Sequence, residues 1–121
     1  MVLKQLILLL AIQILWVKTI KKIDIHAHAT PFPDYCPRNP KGERNISVKE
    51  LIGAYDRLGI EKGVLLPLTA GESMLTPIPS ETCKMMVDQY PDRFVWFCNV
   101  DPRAAGNYAE SDLAGLLAWY K

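Results

Sequence analysis

His26 and His28, one residue apart, account for both histidines of the chain. They close the run Lys22-Ile23-Asp24-Ile25-His26-Ala27-His28, which gives way to Thr30-Pro31. Side chains alternate along an extended strand, so the two imidazoles point the same way with Cα atoms about 6.5–7 Å apart, close enough to share one metal ion. Imidazole is the commonest side-chain ligand for zinc and its neighbours. The same residues also fit a strand end that carries two surface histidines. A catalytic metal site takes about three protein ligands and keeps a position open, so His26 and His28 make half a site. Strict alternation puts Asp24 on the histidine face and turns Ile23, Ile25 and Ala27 toward a helix layer. A buried Asp24 then needs a polar partner or a cation.

The elements that must position this pair follow from spacing. Thr30 to Asn45 holds four prolines (Pro31, Pro33, Pro37, Pro40) and Gly42, which makes it a long loop. Tyr35 and Arg38 in that loop are candidates for contacting an anionic substrate, against the simpler reading of a solvated loop. Ser47-Val48-Lys49-Glu50 is a capping box, and Val48, Leu51, Ile52, Tyr55 and Leu58 recur at helical spacing until Gly59. Gly63 to Leu68 is a continuous apolar run, the pattern of a strand buried on both faces of a parallel sheet. Thr69 to Pro79 is a second loop. A helix is expected from near Ser80 to Tyr90, with Cys83, Met86, Val87 and Tyr90 inward and Pro91 ending it. Phe94 to Asn99 reads as a third strand, and a last helix runs from about Ser111 with Leu113, Leu116, Leu117 and Tyr120 on one stripe. Strand and helix thus alternate three times, which calls for a parallel α/β sheet with right-handed crossovers.

Composition bounds the function classes. The chain has 121 residues, half of them apolar, and a formal net charge of +1, which suits one ordinary domain. Its basic residues are scattered and not interleaved with aromatics, so nucleic acid is not an expected partner. Cys36, Cys83 and Cys98 have long spacings and no Cys-x-x-Cys, which predicts reduced thiols and a cytoplasmic setting. Residues 1–20 stand apart as an apolar segment. Leu6 to Val17 is too short for the roughly 20 residues of a spanning helix, and no small-x-small cleavage site follows it. Three readings remain open there: a start assigned too far upstream, a membrane or export segment, and a helix packed on the domain. Under the second, residues 1–17 make the protein membrane-associated or exported.

Ile23-Asp24-Ile25-His26-Ala27-His28, the capped helix leading into Leu58-Gly59-Ile60-Glu61-Lys62-Gly63-Val64-Leu65-Leu66-Pro67, then Pro91-Asp92-Arg93-Phe94 and Val100-Asp101-Pro102-Arg103 resemble the start of the amidohydrolase-related proteins. These metal-dependent hydrolases and decarboxylases include aminocarboxymuconate-semialdehyde decarboxylase. The resemblance covers about residues 21–121. It implies a (β/α)8 barrel of the metallo-dependent hydrolase type, with His26 and His28 as the first two metal ligands at the end of strand one. It further implies a divalent metal, foremost Zn, a small carbonyl- or carboxylate-containing substrate, and Asp24 no nearer than an outer partner of the metal. A barrel takes about 250 residues, so the chain is expected to supply about three βα units and to lack the later ligands and the general base. Inner faces built from Val64, Leu66, Phe94 and Trp96 would then stand open, favouring association or oligomers. Polymerase-and-histidinol-phosphatase-type phosphoesterases and TatD-like nucleases also open with Asp-x-His-x-His. A non-catalytic α/β fragment is the alternative of a different class.

Overall fold

The computed structural model describes residues 20–69, 78–103, 106 and 108–121. The apolar segment at residues 1–17 and most of the loop expected over Thr69 to Pro79 lie outside the described residues. Three parallel strands, β1 (Lys22–Ala27), β2 (Ile60–Leu65) and β3 (Phe94–Trp96), form one sheet in the order β1-β2-β3. They alternate with the helices α1 (Val48–Leu58), α2 (Ser80–Gln89) and α3 (Leu113–Ala118). The chain is therefore an α/β unit with strand neighbours in sequence order, as the alternating pattern predicted.

Local chemistry sets the helix ends. Ser47 Oγ accepts from Glu50 N–H at 3.2 Å while Glu50 Oε2 accepts from Ser47 N–H at 2.9 Å, a reciprocal cap that satisfies two otherwise orphaned donors. At the other end Gly59 takes φ 66° and ψ 34° and donates its N–H to Tyr55 O, a left-handed stop that a side chain would disfavour. Arg44 reaches back to Glu50 with both terminal nitrogens, at 3.1 and 2.6 Å. Glu50 is held down to about 2 from its ordinary 4.5, first by its bond to the Arg44 guanidinium and then by Ser47. The folded value lies below the unfolded one, so this contribution is fully present above about pH 4.5 and is lost as pH falls toward 2. In thermal melts across that range, Glu50→Gln is expected to run below the parent at pH 6 and to converge with it near pH 2. A constant gap would count against the link.

Strand limits differ from the apolar runs. β2 begins at Ile60 because Ile60 already pairs with Lys22, and it ends at Leu65. Pro67 has no N–H to offer a ladder, and Leu68 exchanges two bonds with Ile78 as an antiparallel bridge instead. β3 ends at Trp96, since beyond it Asn99 N–H turns to Ser80 Oγ at 3.2 Å.

Which face meets the helices also differs from expectation. Asp24 pairs with Gly63 and Ala27 with Leu65, so β1 spends three steps where β2 spends two. The extra residue is a bulge, which breaks the alternation. Asp24 and Ala27 therefore both face the helices, whereas Ile23 and Ile25, expected beneath them, are 62% and 75% exposed. Phe94 and Trp96, expected on the open face, share the helix side with their partners Gly63 and Leu65. The core joins Ala27, Ala29, Val48, Leu51, Tyr55, Leu65, Ile78, Cys83, Met86 and Phe94, with Trp96 packed against it. Full burial of a side chain such as Phe94 or Leu65 contributes about 1.5–3 kcal/mol. The open face keeps Ile23, Ile25, Val95 and Phe97, all exposed.

The last segment docks through aromatic contacts. Tyr120 meets Trp96 edge-on at 6.0 Å and donates to Glu81 Oε1 at 2.6 Å. Of the stripe expected on α3, Leu116 and Leu117 remain exposed.

Candidate metal centre

The bulge that lowers Asp24 and Ala27 onto the helices leaves His26 and His28 together at the C-terminal end of β1. Their Nε2 atoms lie 3.0 Å apart, with ring centroids at 4.9 Å and planes at 85°. Two nitrogens that each sit about 2.0–2.1 Å from one tetrahedral zinc are about 3.3 Å apart. The pair is thus spaced for a shared ion with only a slight opening of the two rings. The expectation that both imidazoles point the same way agrees with this arrangement.

His28 Nδ1 lies 2.8 Å from Leu66 O. A carbonyl only accepts, so Nδ1 carries the proton and the neutral ring presents its lone pair at Nε2. With the proton on Nδ1, His26 Nε2–H donates into that lone pair. His28 Nε2 is the atom that would face a metal, with the Leu66 carbonyl in the place of the outer partner that metal-bound histidines usually have. Leu66 is fixed in turn, because its N–H donates to Ala27 O at 2.9 Å. The amide and the carbonyl of one residue just past β2 therefore hold both the backbone and the ring of the histidine strand.

Asp24 does not share the histidine face. Its Oδ1 accepts from His26 N–H at 3.0 Å and its Oδ2 accepts from the Tyr55 hydroxyl at 2.8 Å. Its contact with His26 runs through the backbone and not through the imidazole. Burial first, and then the bond to Asp24, push the Tyr55 hydroxyl far above its ordinary value, so it keeps its proton and remains a donor. Sequence reasoning placed Tyr55 only on an apolar stripe. The available signal was the polar tip of one residue on that stripe, paired with a carboxylate in need of a donor.

The loop candidates stay separate from the histidines. Tyr35, at the end of a 3-10 turn over Pro33–Tyr35, is 89% exposed, and Arg38 Nη1 donates to Gly42 O within its own loop. Two polar atoms at the same end of the sheet were missed: Thr69 Oγ1 and Asn99 Oδ1, both buried with no partner among the described residues. They line one cavity of about 150 Å³ with Val100, Leu116 and Trp119. A larger concavity of about 740 Å³ lies between α2 and the C-terminal segment, on Glu81, Lys84, Trp96 and Trp119, and contains neither histidine. Cys36, Cys83 and Cys98 are unpaired thiols, and burial pushes Cys83 up to about 11, which leaves it unreactive.

Among the described residues no three or more of His, Cys, Asp and Glu are gathered around one point. His26 and His28 thus fit a metal but do not complete its shell. No helix among the described residues is long and apolar enough to cross a membrane. Comparisons with protein-family models, with curated proteins and with solved structures find no match to this chain.

Proposed function

We propose that this chain carries the first metal-binding strand of an amidohydrolase-related enzyme, a metal-dependent hydrolase or decarboxylase on a (β/α)8 barrel. The supporting observation is the 3.0 Å convergence of His26 and His28 Nε2 at the C-terminal end of β1, with the His28 tautomer set by Leu66 O. Barrel enzymes of this architecture place catalytic groups at that end of parallel strands. A three-stranded sheet in sequence order, with α1 and α2 against one face and no helix on the other among the described residues, is the arrangement such a barrel begins with.

His26 and His28 would hold a divalent ion, foremost zinc, with further ligands and a general base from strands other than these three. When bound, such an ion makes water a nucleophile near neutral pH and polarises a carbonyl or carboxylate. This chain's own residues do the positioning. Leu66 O holds the His28 proton on Nδ1, and Asp24 fixes the His26 backbone. Hydrolysis and decarboxylation make the same demands on this strand.

Zinc titration followed through the histidine ring protons tests the proposal. One site per chain is expected, involving both rings and no other side chain of the described residues, and released to a mild chelator because two imidazoles are an incomplete shell. Zinc that shifts neither ring at millimolar concentration would refute the reading.

A further inference from the structure

Asp24 spends both carboxylate oxygens, and it spends them on different elements. One accepts the Tyr55 hydroxyl of α1 at 2.8 Å and the other the His26 backbone N–H at 3.0 Å. The residues between Asp24 and Ala27 include the extra one that β1 carries relative to β2. A bulge leaves a backbone donor without its ladder partner, and here the Asp24 carboxylate receives it. Tyr55 reaches Asp24 by lying flat over Gly63, the residue paired with Asp24 across the sheet. A Cβ at Gly63 would sit 2.6 Å from Tyr55 Cε2 and nearer still to the hydroxyl oxygen. The ring is further held by Phe94 at a centroid distance of 5.8 Å, and Tyr55 is 2% exposed.

We infer that Tyr55, acting through Asp24, is a positioning residue for the His26–His28 metal site, and that Gly63 is the residue that admits it. The inference rests on the metal reading of the two histidines and adds to it a control point on a helix that touches neither ring. The hydroxyl keeps the carboxylate oriented, the carboxylate holds the His26 N–H, and the held backbone keeps Nε2 of His26 3.0 Å from that of His28. Without the hydroxyl, Asp24 Oδ2 has lost its donor beneath α1 and the carboxylate turns toward water, releasing the His26 N–H. Loss of an outer partner of a metal ligand costs about 10–100-fold in affinity.

Tyr55→Phe separates this role from packing, because it keeps the ring over Gly63 and against Phe94 and deletes one oxygen. Two readouts are taken on the full chain: zinc affinity from the histidine ring protons, and exchange of the His26 amide proton without metal. The expected result is zinc binding weakened about 10–100-fold, with the His26 amide exchanging at least tenfold faster than in the parent while the Leu66 amide keeps its protection. Gly63→Ala, which displaces the tyrosine by crowding, is expected to reproduce both effects, and Tyr108→Phe, an exposed hydroxyl deletion, neither. Should Tyr55→Phe leave zinc affinity or His26 exchange at the parent value, the positioning role is overturned while the metal reading stands. A parent chain that binds no zinc overturns both.

Discussion

Zinc affinity is expected to fall in His28→Ala by more than the roughly 10–100-fold that loss of an outer partner costs. His28 supplies one of the two converging nitrogens and its ring also holds the proton that Leu66 O fixes. The substitution removes a ligand and leaves His26 Nε2 alone, and a single imidazole has no geometric claim on an ion beyond that of any surface histidine. Calorimetry with zinc, beside a thermal melt to separate binding from folding, measures this. The fold is expected to survive, since His28 is only half-buried and Ala27 O still receives the Leu66 N–H. A tight stoichiometric site that persists in His28→Ala would mean that other groups bind the metal, and the hydrolase reading would go with it.

The second large effect concerns the uncovered side of the sheet. Ile25 at 75% and Phe97 at 63% exposure stand beside Ile23 and Val95 on a face without helices among the described residues. Both β1 and β3 are edge strands of the described sheet, with backbone groups free to pair. A contiguous apolar patch of a few hundred Å² is the size at which soluble monomers begin to associate. The chain is expected to sediment as a concentration-dependent oligomer and to bind a hydrophobic dye. Changing Ile25 and Phe97 together to Lys should cut both by several-fold. A dye-silent monomer at 100 μM, on the order of the concentration where weak apolar contacts of about 5 kcal/mol register, would show that this face is already covered.

The helix ends and the histidine pair were legible because each is local. Ser47 and Glu50 announce a cap within four residues, Gly59 supplies the left-handed stop, Pro91 ends the second helix, and His-x-His converges over two residue steps. The facing of the strands was not legible. The buried end of β2, Gly63 to Leu65, and the whole of β3 are apolar on both sides, so periodicity carries no sign of which side meets the helices. The deciding contact is Tyr55 over Gly63, a packing of the consecutive elements α1 and β2 that periodicity does not encode. The extra residue in β1 was equally hidden, since Asp24 acquires its partner 31 residues away. A period-2 reading of β1 therefore carried Asp24 to the wrong face and Ile23 and Ile25 to the opposite wrong one. Helix α3 was placed correctly in outline, but its stripe is only partly covered.

The Leu66 carbonyl that fixes the His28 ring belongs to a residue 38 positions further along the chain. An unfolded chain keeps His26 and His28 side by side, so it still offers zinc two imidazoles. What it lacks is the carbonyl that settles the tautomer and the carboxylate that holds the His26 backbone. Zinc would therefore favour the native state only by the ratio of the two affinities. If the outer partners account for about 10–100-fold, saturating zinc raises the free energy of unfolding by about 1.4–2.7 kcal/mol. The ion would act as a thermodynamic reporter of the β1–β2 junction, its effect on the melting temperature reading how well two segments far apart in sequence have found each other.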